Sequence, residues 1–512
     1  MPGLIRDERA RSLPLASDLL LAAALGALHT LAYVHTEAWW LQLICVGALA
    51  WRVAASDAKR AALLGLLFGT AWLCAGTWWL FISMHRYGGL PAWMAALAVL
   101  GLSMFLSLYL AAAMALFVRW RAQRPVRNAL LFAALWLLAE LARGVIFTGF
   151  PWVASGYAHV DAPLAKLAPW VGVYGIGFAA AALAAWAAFA LRAPTRRWIG
   201  LAGSVLILVV LAFASPLRFS QPTSTLSITL LQGNVPQEEK FATEHQGAAL
   251  EWHVTNLLAA KTDLVVAPET AVPFLPQQMP AEFWPSLKAH FAGGRSHALF
   301  GVPLGDEDAG YTNSAVGFAP GRASEYRYDK QHLVPFGEFI PWGFKWFTRL
   351  MDIPLGDFNR GAVNAPSFVV NGERVAPNIC YEDLFGEELA ARFADESSAP
   401  TMFANLSNIG WFGETIAIDQ HLHISRLRAL EFERPMLRAT NTGATVIIDH
   451  LGHVTRALQP HTRGVLEGTV QGRTGLTPFA WWAGRFGLWP LMVLALLVLV
   501  FAYSTTRHTR SD

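Results

Sequence analysis

The chain has 512 residues, of which 54% are hydrophobic and 15% charged, with a formal net charge of +3. Soluble domains carry roughly 25% charged residues, so an ordinary soluble protein is excluded. The small net charge and the lack of a Lys/Arg-rich run exclude a nucleic-acid-binding surface.

The apolar excess lies in the first 217 residues and the last 30, and the middle has the composition of a globular domain of about 250 residues, large enough for its own core. A membrane span needs ~20 mostly apolar residues. Seven candidates come first, at about 15–34, 37–54, 61–82, 91–118, 127–142, 164–191 and 198–214, and an eighth at 487–503. The fifth is short and ends at Glu140 and Arg143. These lie three apart on one helical face, as expected of a pair that neutralises itself inside a membrane. Arg6, Arg9 and Arg11 precede the first apolar run, as in a signal peptide, but further spans follow directly, so an uncleaved helix is expected. Gly65 and Gly69 form a G-x-x-x-G pair suited to close helix packing. Trp39, Trp40, Trp78, Trp79 and Trp170 fall near span ends, as interface anchors do.

The connecting segments on one side hold fifteen Lys and Arg, among them Arg52, Lys59, Arg60, Arg119 and Arg192, and the short loops opposite hold three, Arg86, Arg143 and Lys166. The positive-inside rule then makes both termini cytoplasmic. The middle domain follows an odd number of crossings and faces the other side. The predicted division is 1–217 for the membrane domain, 225–473 for the extramembrane domain and 487–503 for the last span.

From about 225 the period changes. Leu226–Gln232 reads as a strand, Gln237–Lys261 as a helix, and Asp263–Ala267 as a strand running into Pro268-Glu269. Strand patterns recur at Ala298–Pro303, Thr312–Phe318, Ser367–Val370, Val375–Cys380, Thr401–Leu406, Thr445–Asp449 and Val465–Val470, and helical patterns at 281–292, 383–394 and 419–432. Such alternation suggests a layered α/β or α+β domain. Pro, Ser and Gly near 215–224 and 472–480 read as linkers.

Cys45 and Cys74 lie in apolar runs, where a thiol packs as a small hydrophobe. Cys380 stands alone in the middle domain, without a disulfide partner there. Glu269, Lys330 and Cys380 each follow a strand pattern. Together they make chemical sense: a thiol needs a base to become a thiolate, a carboxylate in a dry pocket can be that base, and an ammonium can steady an oxyanion. Singly, each has a plainer reading as a core thiol, a turn carboxylate or a solvated amine. Asp419, His421 and His423 do not have the ligand pattern of a metal site and read as packing and surface residues of a helix. No metal or organic cofactor is expected.

Lys330-Gln331-His332-Leu333-Val334-Pro335-Phe336-Gly337-Glu338 and Asn378-Ile379-Cys380-Tyr381-Glu382 resemble the nitrilase superfamily, whose Glu, Lys and Cys occur in that chain order. With apolar helices on both sides, the whole chain resembles its membrane-bound branch, the apolipoprotein N-acyltransferase family. Gln232-Gly233-Asn234-Val235-Pro236-Gln237, Gly149-Phe150-Pro151-Trp152, Trp411-Phe412-Gly413 and Arg438-Ala439-Thr440-Asn441-Thr442-Gly443 support this. The resemblance implies an αββα-sandwich nitrilase-like domain, extracytoplasmic, on an eight-helix membrane domain. It implies Glu269 as general base, Lys330 as oxyanion stabiliser and Cys380 as nucleophile, with Glu338, Tyr381, Glu382 and Phe241 in support or at the substrate. Phe241 and Ile409 stand where the family usually has Trp and Asp.

The implied reaction passes an acyl chain from a phospholipid, chiefly phosphatidylethanolamine, through a Cys380 thioester to the α-amino group of a diacylglyceryl-cysteine on an apolipoprotein. The implied location is the bacterial inner membrane, with the catalytic domain facing the periplasm. A membrane-anchored amidase would share the triad, with water resolving the acyl-enzyme. A transporter with a ligand-binding domain would need broken helices or paired midplane polar groups, and beyond Glu140 and Arg143 these are few. Finally, Pro341–Phe358 mixes aromatic residues with Lys345 and Arg349 and reads as a mobile interfacial arm over the site.

Overall fold

The computed structural model describes residues 13–122, 124–192, 197–240, 243–341, 343 and 357–508. Phe241 and nearly all of the expected arm, residues 342 and 344–356, lie outside the described residues. The chain forms two compact units, one of residues 1–81, 92–216 and 488–512, the other of residues 82–91 and 217–487.

The first unit is helical: α1 (Leu15–His29), α2 (Trp39–Ala54), α3 (Ala58–Thr77), α4 (Ala92–Trp120), α5 (Pro125–Val145), α6 (Ala168–Leu191), α7 (Arg197–Phe213) and the final helix Trp489–His508. Among the described residues, five helices are long and apolar enough to cross a membrane, or six if the final helix counts together with the one before it. The predicted spans at 37–54 and 198–214 are helices of 16 and 17 residues. Large apolar side chains such as Leu20, Trp93, Leu97, Leu206 and Leu497 stand exposed, as on a surface whose solvent is lipid.

Three features explain how this unit packs. Gly65 lets α3 approach α4 closely, since a Cβ there would lie 2.9 Å from the Leu110 carbonyl oxygen. Buried Asp18 on α1 accepts from Arg52 Nε at 2.6 Å and Arg60 Nε at 2.8 Å. The fifth span is also longer than its apolar run suggests. Helix α5 continues through Glu140 and Arg143 because each finds hydrogen-bond partners inside the fold. Glu140 Oε1 accepts from the Ser155 N–H (2.7 Å) and hydroxyl (2.9 Å), and Arg143 Nη1 donates to the Phe150 (3.1 Å) and Trp152 (2.6 Å) carbonyls. Trp79 is no interface anchor: it is buried with its ring 4.7 Å from that of Trp152.

The second unit holds two six-stranded sheets. The first joins β1 (Gln221–Gln232), β2 (Leu264–Val266), β3 (His297–Asp306), β4 (Gly310–Phe318), β5 (Tyr326–Asp329) and β12 (Gly464–Thr474) in the order β12-β1-β2-β3-β4-β5. The second joins β6 (Phe368–Val370), β7 (Glu373–Ile379), β8 (Met402–Ser407), β9 (Met436–Thr440), β10 (Val446–Ile448) and β11 (Val454–Ala457) in the order β11-β10-β9-β8-β7-β6. β1, β2 and β3 are mutually parallel, as are β7, β8 and β9. One core joins the inner faces, with Ile228, Leu230 and Val266 meeting Ile379, Leu406 and Leu437. Helices α8 (Thr243–Ala259) and α9 (Phe283–Gly293) cover the outer face of the first sheet through Leu257, Leu287 and Phe291. Across the second sheet lie α10 (Gly386–Ala391), α11 (Ala417–Phe432) and α12 (Pro478–Phe486), with the Phe432 ring 5.3 Å from that of Phe403.

Two expectations are corrected here. The presumed linkers are largely structured: β1 and β12 extend into them and pair from Gln221↔Thr474 onward. Buried Glu433 also accepts from the Phe219 and Ser220 N–H groups. Pro, Ser and Gly there mark a sheet margin rather than free chain. The helix expected at 383–394 is shorter, because a 3-10 turn occupies Cys380–Leu384 and α10 spans only six residues. Residues 82–91 fold with this unit, Arg86 pairing with Glu238 and Tyr87 standing edge-on to Trp411.

Candidate active site

The site forms where strands end. Glu269 follows β2, Lys330 follows β5, Cys380 follows β7 and Asn408 follows β8. Because β7 and β8 run parallel to each other, their C-terminal ends lie together, and the contacts of Glu269 with the Asn408 N–H and with Lys330 bring the end of β2 to the same edge, where ligands of parallel sheets gather.

Lys330 is fully buried, and its ammonium lies 2.9 Å from Glu338 Oε1 and 3.7 Å from Glu269 Oε1. Asn313, on β4, donates through Nδ2 to both carboxylates at 2.7 Å. The Asn408 N–H donates to Glu269 Oε2 at 2.9 Å, and the Val334 N–H to Glu338 Oε2 at 2.8 Å. Each carboxylate therefore has one oxygen toward the ammonium and one held by backbone. Burial alone would lower the Lys330 pKa, but Glu338 first and Glu269 second outweigh it and raise it above the ordinary lysine range. Lys330 is thus a permanent cation, fit to stabilise negative charge and unfit to act as a base.

Burial, and then the Glu269 charge, push the Cys380 thiol up to about 12, while Lys330 and Ser407 pull it back. The group therefore rests as a thiol. Among the predicted residues, the structure therefore brings Glu269, Lys330, Glu338 and Cys380 together.

Glu382 stands beside Cys380 in sequence but faces elsewhere. It accepts from the Ile379 (2.6 Å), Gln331 (2.7 Å) and His332 (3.2 Å) N–H groups and from the Tyr328 hydroxyl (2.8 Å). It ties the Lys330 strand to the Cys380 turn. Burial raises its pKa against these hydrogen bonds. Tyr381 is buried, its ring 5.6 Å from His332 and 5.2 Å from Phe385. Ile409 is fully buried.

Sequence reasoning missed Asn313, Ser407 and the Asn408 N–H. None of the three lies in a motif named above. The available signal was a polar residue inside a strand whose neighbours are all buried.

The sequence profile described as the apolipoprotein N-acyltransferase N-terminal domain matches residues 25–186, and that of the carbon-nitrogen hydrolases matches residues 227–479. An apolipoprotein N-acyltransferase of Verminephrobacter eiseniae is 56% identical over 475 residues, covering 88% of this chain and 89% of the relative. The chain belongs to the apolipoprotein N-acyltransferase family. One from Ralstonia nicotianae is 47% identical over 95% of this chain and 93% of its own length, and one from Bordetella bronchiseptica 43% identical over 84% and 85%. The second unit of this chain thus has the carbon-nitrogen hydrolase fold with two sheets, and the chain's N-terminal region holds apolar helices that fit a membrane protein.

Proposed function

We propose that the chain is a phospholipid:apolipoprotein N-acyltransferase that works by a ping-pong route through a Cys380 thioester. One observation carries this reading: a buried ammonium between two carboxylates, with Glu269 and Lys330 both acting on the thiol, in a chain of this family.

In the first half-reaction the Cys380 proton passes to Glu269 as Sγ attacks the sn-1 ester carbonyl of a phospholipid, most simply phosphatidylethanolamine. The oxyanion forms beside Lys330, whose fixed charge is worth most in a water-poor site. Collapse breaks the ester C–O bond, Glu269 returns the proton to the leaving lysophospholipid oxygen, and the acyl chain remains on sulfur. In the second half-reaction the α-amino group of a diacylglyceryl-cysteine attacks the thioester and gives its proton to Glu269. Cys380 leaves as thiolate and is reprotonated, and an amide remains. Glu338 holds Lys330 in place.

Both substrates are lipids, so tethering the catalytic unit at a membrane raises their effective concentration. The proposed division is a membrane domain of seven spans at 1–217, a catalytic domain at 225–473 facing the periplasm, and an eighth span at 487–503 in the bacterial inner membrane. Supporting this orientation, cations of the basic segments gather on one element: Arg121 Nη1 donates to the Val53 carbonyl at 3.3 Å and Arg192 Nη2 to the Trp51 carbonyl at 2.7 Å, both at the end of α2.

The test is N-acylation of a diacylglyceryl peptide in phospholipid vesicles by purified wild-type and Cys380→Ala protein. Wild type is expected to form the triacylated peptide and the variant none. Residual transfer by Cys380→Ala contradicts the thioester route, and release of free fatty acid without peptide acylation favours the hydrolase reading.

A further inference from the structure

Cys380 has a φ of 52°, a left-handed conformation that a residue with a Cβ adopts only under constraint. The residue before it, Ile379, is still extended at φ −111° and ψ 114°. The chain therefore turns sharply at the nucleophile, and surrounding structure must hold it there.

The holding groups meet at the Cys380 carbonyl rather than at its thiol. That oxygen accepts from Asn405 Nδ2, on β8, at 3.2 Å and lies 3.2 Å from His421 Nε2, on α11. The same Nε2 is 2.8 Å from Asp383 Oδ1. On the other side of the ring, Nδ1 is 3.3 Å from Arg438 Nη2. A guanidinium has only donors, so Nδ1 accepts and the ring proton sits on Nε2, shared between Asp383 and the Cys380 carbonyl. Arg438, from β9, also reaches Asp383 Oδ2 at 3.4 Å and the Ser425 hydroxyl, and Ser425 donates to Asp383. His421, Asp383, Ser425 and Arg438 are all fully buried.

We propose that His421 is a positioning residue for the nucleophile, its Nε2–H pinning the Cys380 carbonyl and so fixing the Cys380–Tyr381 peptide plane. In a trans peptide the N–H points opposite to the carbonyl. The pinned plane therefore sets both the aim of Sγ and the direction of the Tyr381 N–H. This rests on the reading of Cys380 as the nucleophile. Asp383 and Arg438 act through the ring by fixing its tautomer and orientation.

Two neutral amides separate this role from a merely structural one. His421→Gln brings an N–H donor to the reach of Nε2, whereas the shorter His421→Asn brings it only to the reach of Nδ1; His421→Leu has no donor. The measurement is the single-turnover rate constant for acyl-adduct formation on Cys380 from vesicle phospholipid, followed by intact mass across phospholipid concentrations. Asn and Leu are expected to lose about 100-fold in the limiting rate constant, with half-saturation unchanged, and Gln to recover to within about fivefold of wild type.

The proposal is overturned if Gln and Asn lose equally, if neither loses, or if the loss lies in half-saturation. It is also overturned if Asn and Leu fail to fold while Gln folds, since the network would then serve stability alone. Wild type run alongside separates the two readings. Absence of any wild-type adduct sinks the thioester reading itself, and a normal wild-type adduct confines failure to the role of His421.

Discussion

Each unit buries a carboxylate beside a cation, and the two sets are built for different ends. In the helical unit, Glu140 and Arg143 stand 3.6 Å apart at their closest atoms. Glu140 Oε1 takes the Ser155 backbone, and Arg143 Nη1 holds the Phe150 and Trp152 carbonyls. These partners are the chain that follows α5, so the pair clamps its own connection. In the sheet unit, Lys330 lies between two carboxylates that backbone N–H groups hold from behind. Those N–H groups belong to Asn408, after β8, and Val334, after β5, and the charges there act on a thiol. A buried ion pair is weak evidence for function by itself; what its remaining hydrogen-bonding atoms hold decides the matter.

The largest expected effect tests that contrast directly. Lys330→Met should lower acylation of Cys380 by at least about 10³-fold, the upper range for loss of one oxyanion donor in a dry site. Arg143→Met should leave turnover per folded molecule within about threefold while costing ~3 kcal/mol of stability, because it leaves a buried carboxylate unpaired. Detergent-solubilised protein, with folded fraction measured by thermal unfolding and turnover by peptide acylation, gives both numbers. A smaller effect is expected for Glu338→Gln, which keeps the shape but removes the nearer charge on Lys330. A loss of about 10- to 100-fold in acylation with little change in melting temperature would mark Glu338 as an electrostatic anchor.

The smallest effect concerns pH. With the thiol pushed up to about 12 by burial and by Glu269, little thiolate exists near neutrality. Alkylation of Cys380 by a small neutral reagent should keep rising between pH 7 and 10, whereas an exposed thiol levels off above its pKa of ~8.5. Lys330→Met, having lost the charge that favours thiolate, should be slower still at each pH. A plateau near pH 8 in wild type would mean that the thiol is solvated and that Glu269 does not act on it.

The proposed catalytic set could be read from the sequence because Lys330 and Cys380 each sit in a distinctive word at a strand end, and Glu269 follows an earlier strand pattern. The apolar runs were equally plain. What the sequence hid is long-range. β9 is five residues, all buried, with Arg438 at its centre, so neither alternation nor apolar content marks it as a strand. His421 reads as a helix packing residue until α11 brings it within 3.2 Å of the Cys380 carbonyl. Asn313 acquires its role only because β4 pairs beside β5 and turns its amide to both carboxylates. The supposed linkers failed for the same reason: Gln221 and Thr474 are remote in sequence and partners in the sheet.

The central claim is that Cys380 takes an acyl chain from a phospholipid before any acceptor arrives. Intact-mass measurement of the purified full chain, after incubation with vesicles of phosphatidylethanolamine alone, tests this most directly. A mass increase of one acyl chain, mapped to Cys380, absent in Cys380→Ala and discharged by a diacylglyceryl peptide, is the expected result. Peptide acylation proceeding normally while Cys380 stays unmodified at every time point would contradict it.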